Sequence, residues 1–204
     1  TTQGVLLVHP SVPVTSVKEL VALAKQRPGE LNYGSPGLGG WFHISTELLA
    51  YMTKIKLTHV PYTAATSPLT ALIGGHVHMM FNTTIVAHPH IKSGRLRALG
   101  TTGATREAML PDVPTIAEAG VPGYEGSTWS AMAAPAHTPR SVIERLNKDI
   151  GTVLQTPDIR ERYLAGGSTV TGGTPEQFHD ILKSELDKYG KLVREAGIKA
   201  ESAK

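Results

Sequence analysis

The stretch Leu31–Thr46, LNYGSPGLGGWFHIST, passes from a β-forming triplet through a glycine-rich turn into a helical pattern. Leu31, Asn32 and Tyr33 read as the end of a strand. Gly34, Gly37, Gly39 and Gly40 bracket Ser35 and Pro36. Glycine reaches positive φ and carries no Cβ, so such a loop turns sharply and lets backbone approach a bound group. Trp41, Ile44, Leu48 and Met52 then fall on one face of a helix. A helix start offers unpaired N–H groups and a partial positive charge, which together suit an anion. The nucleotide versions of this arrangement fail on required residues. Gly34 and Gly39 have the P-loop spacing, but Gly40-Trp41 stands where Lys-Ser/Thr belongs. Gly37-Leu38-Gly39 opens a dinucleotide fingerprint, but Phe42 takes its third glycine position. Taken alone, the loop reads equally as a strand-to-helix connection that binds nothing.

The flanking sequence sets the fold class. Gly4–His9 is a continuous apolar run ended by Pro10, the pattern of a buried strand. Ser16 and Glu19 form a capping box, followed by an apolar stripe of Val17, Leu20, Val21 and Ala24 that stops at Pro28-Gly29. Strands are predicted over 57–62, 76–82 and 96–101, with helices from Ser67-Pro68 to Gly74-Gly75 and over 85–93 and a short one ending at Ala119. A further strand is expected within 124–134, around Trp129, and a short one within 166–173. Thr138-Pro139, Thr156-Pro157 and Thr174-Pro175 each open a helix as N-cap and first residue. Up to about Pro122 strand and helix alternate, which predicts an α/β unit with a largely parallel sheet. Beyond it the chain is mainly helical. No internal repeat or low-complexity tract is present.

Composition excludes several classes. The formal net charge is +3 with no polybasic run, which argues against nucleic acid as the main partner. The absence of cysteine removes disulfide and thiolate chemistry. No apolar run reaches the length of a membrane span, and no leader-like segment is read, as in a mature or trimmed chain. His76 and His78 align on one face of the expected strand, and His88 and His90 flank Pro89, yet neither pair brings a third ligand, so no metal or cofactor is expected. Ser35 on a strand–turn–helix elbow, with His43 in the helix, is the candidate for nucleophilic chemistry, but the glycine spacing differs from G-x-S-x-G. Asp149, Asp158, Glu161 and Asp180 read as solvated helix faces. Trp129 reads as a core aromatic by composition. The residues thus show an α/β domain with an anion-suited loop and no catalytic machinery.

LNYGSPGLGG with His43, then HVPY, LIGGHVHMMFN, IKSGRLRALGTT, LPDVPTIAEAGVPGYE, TW and APAHTP, in that order through nearly the whole chain, resembles the substrate-binding proteins of tripartite tricarboxylate transporters, the Bug family. The resemblance implies a periplasmic binding protein-like fold of type II, with two lobes closing on a ligand as a flytrap does. Residues 4–123 resemble the second lobe with its ligand loop, and residues 124–204 the return into the first lobe. Family chains begin with a further segment carrying the first lobe's opening strands and its own ligand loop, so the resemblance places here one complete lobe and the C-terminal part of the other. The helices after Thr138 would then lack their sheet and leave apolar surface, with self-association as one outcome.

The implied function is non-catalytic capture of a small organic carboxylate, a di- or tricarboxylate or related acid, in the periplasm for membrane permease subunits. A sensor domain that uses the same cleft to signal to a partner protein is the alternative, and a hydrolase built on Ser35 and His43 is a third reading. Matched by position, Ser35, Pro36, Gly37, Gly39 and Gly40 form the implied ligand loop. His43 is the histidine usual in the next helix, for which a structural role is expected. Tyr62 belongs to the VPY motif, and Thr63 and Ala64 follow where the family usually has Lys-Gly, removing a cation. Asn82 sits at a strand end facing the cleft, and Trp129 lies near the crossover between lobes.

Overall fold

The computed structural model describes residues 1–63 and 67–198. Gln3–Ser127, with the described residues from Leu192 onward, forms one compact unit. Thr1–Thr2 with Thr128–Lys191 forms the other.

The larger unit is an α/β lobe. Its strands are β1 (Gly4–Val8), β2 (Asn32–Ser35), β3 (Thr58–Pro61), β4 (Met79–Thr83) and β5 (Arg97–Thr101), in the order β3-β2-β4-β1-β5. Helices α1 (Val17–Gln26), α2 (Trp41–Thr53), α3 (Ser67–Ile73) and α4 (Thr84–Lys92) connect them. β1 lies between β4 and β5, and all five of its residues are buried. A strand covered on both faces needs an unbroken apolar run, which GVLLV supplies. Each such Val or Leu contributes roughly 1.5–3 kcal/mol on burial. Tyr33, Leu49, Leu72, Met79, Phe81 and Ile116 complete the fully buried layer around it.

The sheet is mixed, which corrects the expectation of a largely parallel one. β2 pairs parallel with β3 and β4, but β1 runs antiparallel to both β4 and β5. The register shows why strand–helix alternation misleads here. Val8 at the end of β1 and Tyr33 near the start of β2 both pair with Met79. The excursion through α1 therefore begins and finishes at the same edge of the sheet, and does not cross from one edge to the other.

Local signals explain most boundaries. At α1 the Glu19 N–H donates to Ser16 Oγ at 3.2 Å, while Glu19 Oε2 accepts the Thr15 N–H at 2.6 Å, one residue beyond the usual box. α3 ends in a Schellman arrangement, with the Gly75 N–H on Leu72 O and the His76 N–H on Ala71 O. That cap carries His76 and His78 into a turn before β4, so they do not lie on one strand face as expected. His78 Nδ1 accepts the Asn32 N–H at 3.0 Å, a structural task. On α2 the buried residues include His43, Ser45, Thr46, Leu48 and Leu49, whereas Trp41, Ile44 and Met52 are half-buried. The buried face is thus rotated from the predicted stripe. The segment ending at Ala119 is a turn and not a helix, held by reciprocal bonds between Thr115 and Glu118. Among the described residues no helix is long and apolar enough to cross a membrane.

The smaller unit contains α5 (Arg140–Leu154), α6 (Pro157–Ala165) and most of α7 (Pro175–Glu195). The strands expected within 124–134 and 166–173 reduce to isolated bridges of Thr2 with Thr128 and with Ser168. Too few residues there find an extended partner to build a ladder. Pro139 serves as the N-cap of α5 and not as its first residue, whereas Thr156-Pro157 follows the expected device. Thr174 Oγ1 accepts the Gln177 N–H and Gln177 Oε1 accepts the Thr174 N–H, a full capping box at α7. α5 and α6 bury no residue. Val142, Leu146 and Val153 on α5, and Ile181, Leu182 and Leu186 on α7, are exposed. These amphipathic helices carry apolar stripes without a partner layer.

One close approach fixes the lobe. A Cβ on Gly4 would lie 2.0 Å from the Trp41 ring and 2.8 Å from Asn82 O. Trp41 cannot easily withdraw, because its Nε1–H donates to Gly126 O at 2.6 Å. Gly4→Ala is expected to cost about 1–3 kcal/mol through overpacking, read as a lower denaturation midpoint with unchanged slope. An unchanged midpoint would show that Trp41 is not held in this way.

Candidate functional site

The ends of β2, β3, β4 and β5 share one edge of the sheet, because these four strands run in the same direction. β2 continues through α2 to β3 on one side, and β4 through α4 to β5 on the other. The crevice outside two neighbouring strands whose connections diverge is where open α/β sheets bind ligands. That rule picks out the edge between Ser35 and Asn82. Gln3–Gly4, Ser35–Gly40, Pro61–Thr63, Asn82–Thr84 and residues 101–103 form this edge, and none is charged. Two grooves of about 360 and 410 Å³ flank β5 and contain none of the candidate residues.

Ser35 is fully buried and ties the loop to the sheet. Its Oγ donates to Gly37 O at 2.8 Å and receives the Gly37 N–H at 3.3 Å. Its carbonyl accepts the Tyr62 N–H at 2.8 Å. Gly37 and Gly39 have φ of 137° and 74°. These values need glycine, so the sequence dictates the loop's path. Leu38, Gly39 and Gly40 form an exposed rim. Gly40 caps α2 without any side-chain bond, and no acidic residue lies in the first turn. Among the described residues, the N–H groups of Leu38, Gly40, Trp41 and Phe42 have no hydrogen-bond partner. They lie at the start of a helix with no acidic residue in its first turn, a position that can hold an oxyanion.

Beneath the loop three rings stack. His59 lies 4.7 Å from Tyr33 and 4.4 Å from His43, centroid to centroid. Tyr33 and His59 are register partners on β2 and β3. His59 Nε2 is 2.6 Å from Ser35 Oγ. His43 Nδ1 accepts the Gly39 N–H at 3.0 Å, and its Nε2 faces Glu47 Oε1 at 4.0 Å. Tyr33 donates its hydroxyl to the same Glu47 oxygen at 2.5 Å. Burial, then the Glu47 bond, pushes the Tyr33 hydroxyl well above its usual range, so it stays a donor. Burial lowers His43, against the pull of Glu47. Burial, with the neighbouring His43, lowers His59 to about 4. Both rings are neutral at pH 7.

The structure brings together Ser35, Pro36, Gly37, Gly39, Gly40 and His43. Tyr62 and Thr63 follow β3 at the same edge, with the Tyr62 ring packed on the apolar core. Asn82 is buried, and its Oδ1 accepts the Thr83 N–H at 2.8 Å. Ala64 lies outside the described residues. Trp129 belongs to the smaller unit, where its ring meets Phe178 edge-on at 5.5 Å. The Ser35–His43 pair of the hydrolase reading does not form, because His59 occupies the serine and His43 turns to Gly39. The sequence reading passed over His59, Glu47 and Tyr33. Their only signal was the alternation of THVPY beside NYGS, which shows its meaning once the two strands are in register. Among the described residues no three His, Asp or Glu side chains gather as metal ligands.

Residues 1–198 match the model of the tripartite tricarboxylate transporter family receptor. A Pseudomonas sp. protein from the tcbD-tcbE intergenic region is 39% identical over 98% of this chain and 60% of its own length. BugT of Bordetella pertussis is 34% identical over 96% of this chain and 60% of its own. Among solved structures, R. palustris Rpa4515 with adipate superposes with a TM-score of 0.81 at 36% identity, over 97% of this chain and 66% of that one. MatC from Rhodopseudomonas palustris with bound malate gives 0.75 at 27%, over 94% and 66%. The chain belongs to the tripartite tricarboxylate transporter receptor family, with the α/β fold of periplasmic binding proteins. It spans about 60% of the length of the curated relatives it matches.

The lowered His59 pKa has a direct consequence. The unfolded chain takes up this proton near the ordinary value of 6.5 and the folded chain only near 4. The ring's contribution to stability is therefore complete above 6.5 and is lost as pH falls toward 4. Denaturation midpoints measured across this window should fall with pH, and His59→Gln should flatten that slope. An equal slope in the variant would place the proton uptake elsewhere.

Proposed function

We propose that this chain is the solute-capturing part of a periplasmic receptor that takes a small organic carboxylate and presents it to the permease subunits of a tripartite tricarboxylate-type transporter. The observation that carries this reading is the set of unpartnered N–H groups at Leu38, Gly40, Trp41 and Phe42, at the uncapped start of α2. A carboxylate placed there accepts several backbone bonds and meets the positive end of the helix dipole. Asn82 at the neighbouring strand end adds a carboxamide, while Tyr62 and Thr63 follow β3 at the same edge. With no charged side chain there, charge recognition falls to the backbone. Relatives solved with adipate and with malate support the same ligand class. Family membership supports the periplasm and the transporter partnership.

The reading is non-catalytic. The Ser35 hydroxyl is buried and donates to Gly37 O, so it is not presented as a nucleophile. The titratable groups nearest Ser35 are engaged within the protein, His59 on Ser35 Oγ, His43 on the Gly39 N–H and Glu47 by Tyr33. Binding would drive closure only through contacts that the open form lacks.

Titration of the 15N-labelled chain with adipate, malate and citrate should shift the amide signals of Leu38, Gly40, Trp41 and Phe42. Adipamide, of the same shape but neutral, should leave them in place. Equal shifts with the diamide, or none with any acid, would defeat the carboxylate reading. The exposed stripes of α5 and α7 further support self-association of this chain. Sedimentation should show mass rising with concentration, and Leu146→Lys with Leu186→Lys should return it to monomer. A concentration-independent monomer in the unsubstituted chain would refute that part.

A further inference from the structure

We propose that His43 and His59 are positioning residues for the Ser35–Gly40 loop, and that the loop keeps its shape only while both imidazoles carry a proton on Nε2 and His43 Nδ1 carries none. The tautomers follow from proton bookkeeping. The Gly39 N–H donates to His43 Nδ1 at 3.0 Å, so that nitrogen carries no proton, and the neutral ring holds its proton on Nε2, facing Glu47. The Ser35 hydroxyl donates its one proton to Gly37 O. The 2.6 Å contact with His59 must then be filled by the Nε2–H of His59.

The two rings act at different points. His59 fixes the Ser35 oxygen, which in turn fixes both the N–H and the carbonyl of Gly37. His43 fixes Gly39, whose backbone is left-handed and exposed, with open space where a side chain would stand. A proton arriving on His43 Nδ1 sets two donors against each other at 3.0 Å, and the Gly39 peptide must turn away. The groups that face these rings are Tyr33 from β2 and Glu47 from α2. β4 and α3, the other elements packed nearby, carry no titratable side chain. Glu47 supports the neutral Nε2–H form of His43, and Tyr33 holds Glu47 in place. The loop is thus held by a ring stack that lies outside its exposed rim.

The ligand arm of the test rests on the receptor reading above, and the ring and amide arms do not. Long-range 15N spectra of the full chain at pH 7 should show both rings as Nε2–H tautomers. On acidification, the Gly39 amide signal should move with the midpoint of the His43 ring. An Nδ1–H tautomer at His43, or a Gly39 signal indifferent to that titration, would overturn the proposal. With adipate as probe, His59→Leu should weaken the amide-detected affinity about tenfold, about 1.4 kcal/mol. His59→Gln, which restores a donor to Ser35 Oγ, should stay within about threefold of the parent on the same scale. Equal affinities for the parent and both variants would overturn it as well. If the parent chain takes no acid while the tautomers are as stated, the receptor reading fails and the positioning role stands.

Discussion

The oxygen of Ser35 is the knot of this lobe. It sits at the last residue of β2, where the sheet ends and the glycine loop begins. Through it the chain binds both the N–H and the carbonyl of Gly37 and contacts a histidine on the next strand. Its own carbonyl fastens Tyr62 after β3. A buried hydroxyl stripped of these partners would carry the full cost of desolvation, roughly 1–3 kcal/mol. The loop's shape and the serine's burial therefore sustain each other. The glycines permit the path, and the serine selects it.

The electrostatics around that knot follow one rule. The edge of the sheet carries no formal charge, so the dipole of α2 is the main source of field there. An ionised side chain beside it would supply a permanent counter-ion and fill the site from within. Keeping His43 and His59 neutral by burial serves the same end, since a positive ring below the loop would compete with the loop's own peptide bonds. Glu47 is kept to the far side of His43 and engaged by Tyr33.

The sequence made the strands of the larger unit, its helices and the loop legible, because each carries a local signature. GVLLV is apolar throughout, Ser16 and Glu19 cap α1, and the glycines around Pro36 announce a sharp turn. What it concealed depended on pairing. The reversed direction of β1 is invisible in its own residues and appears only through the shared partner Met79. His59 looked like one histidine among nine until β3 was set beside β2. The strands foreseen in the smaller unit were propensity without partners. There the extended segments find only single bridges with Thr2, and local preference is too weak to build a ladder alone.

The seat of Trp41 on Gly4 reaches beyond packing. Trp41 is the first residue of α2, and its ring is held between the backbone of β1 and the carbonyl of Gly126. The helix is thereby bolted to the centre of the sheet at the very turn that carries its positive end. Its bearing is set during folding, by contacts made within the protein alone. A rim braced in this manner beforehand would lose little to rearrangement on an encounter, whose speed would then be set by diffusion and by how the incoming group happens to be turned.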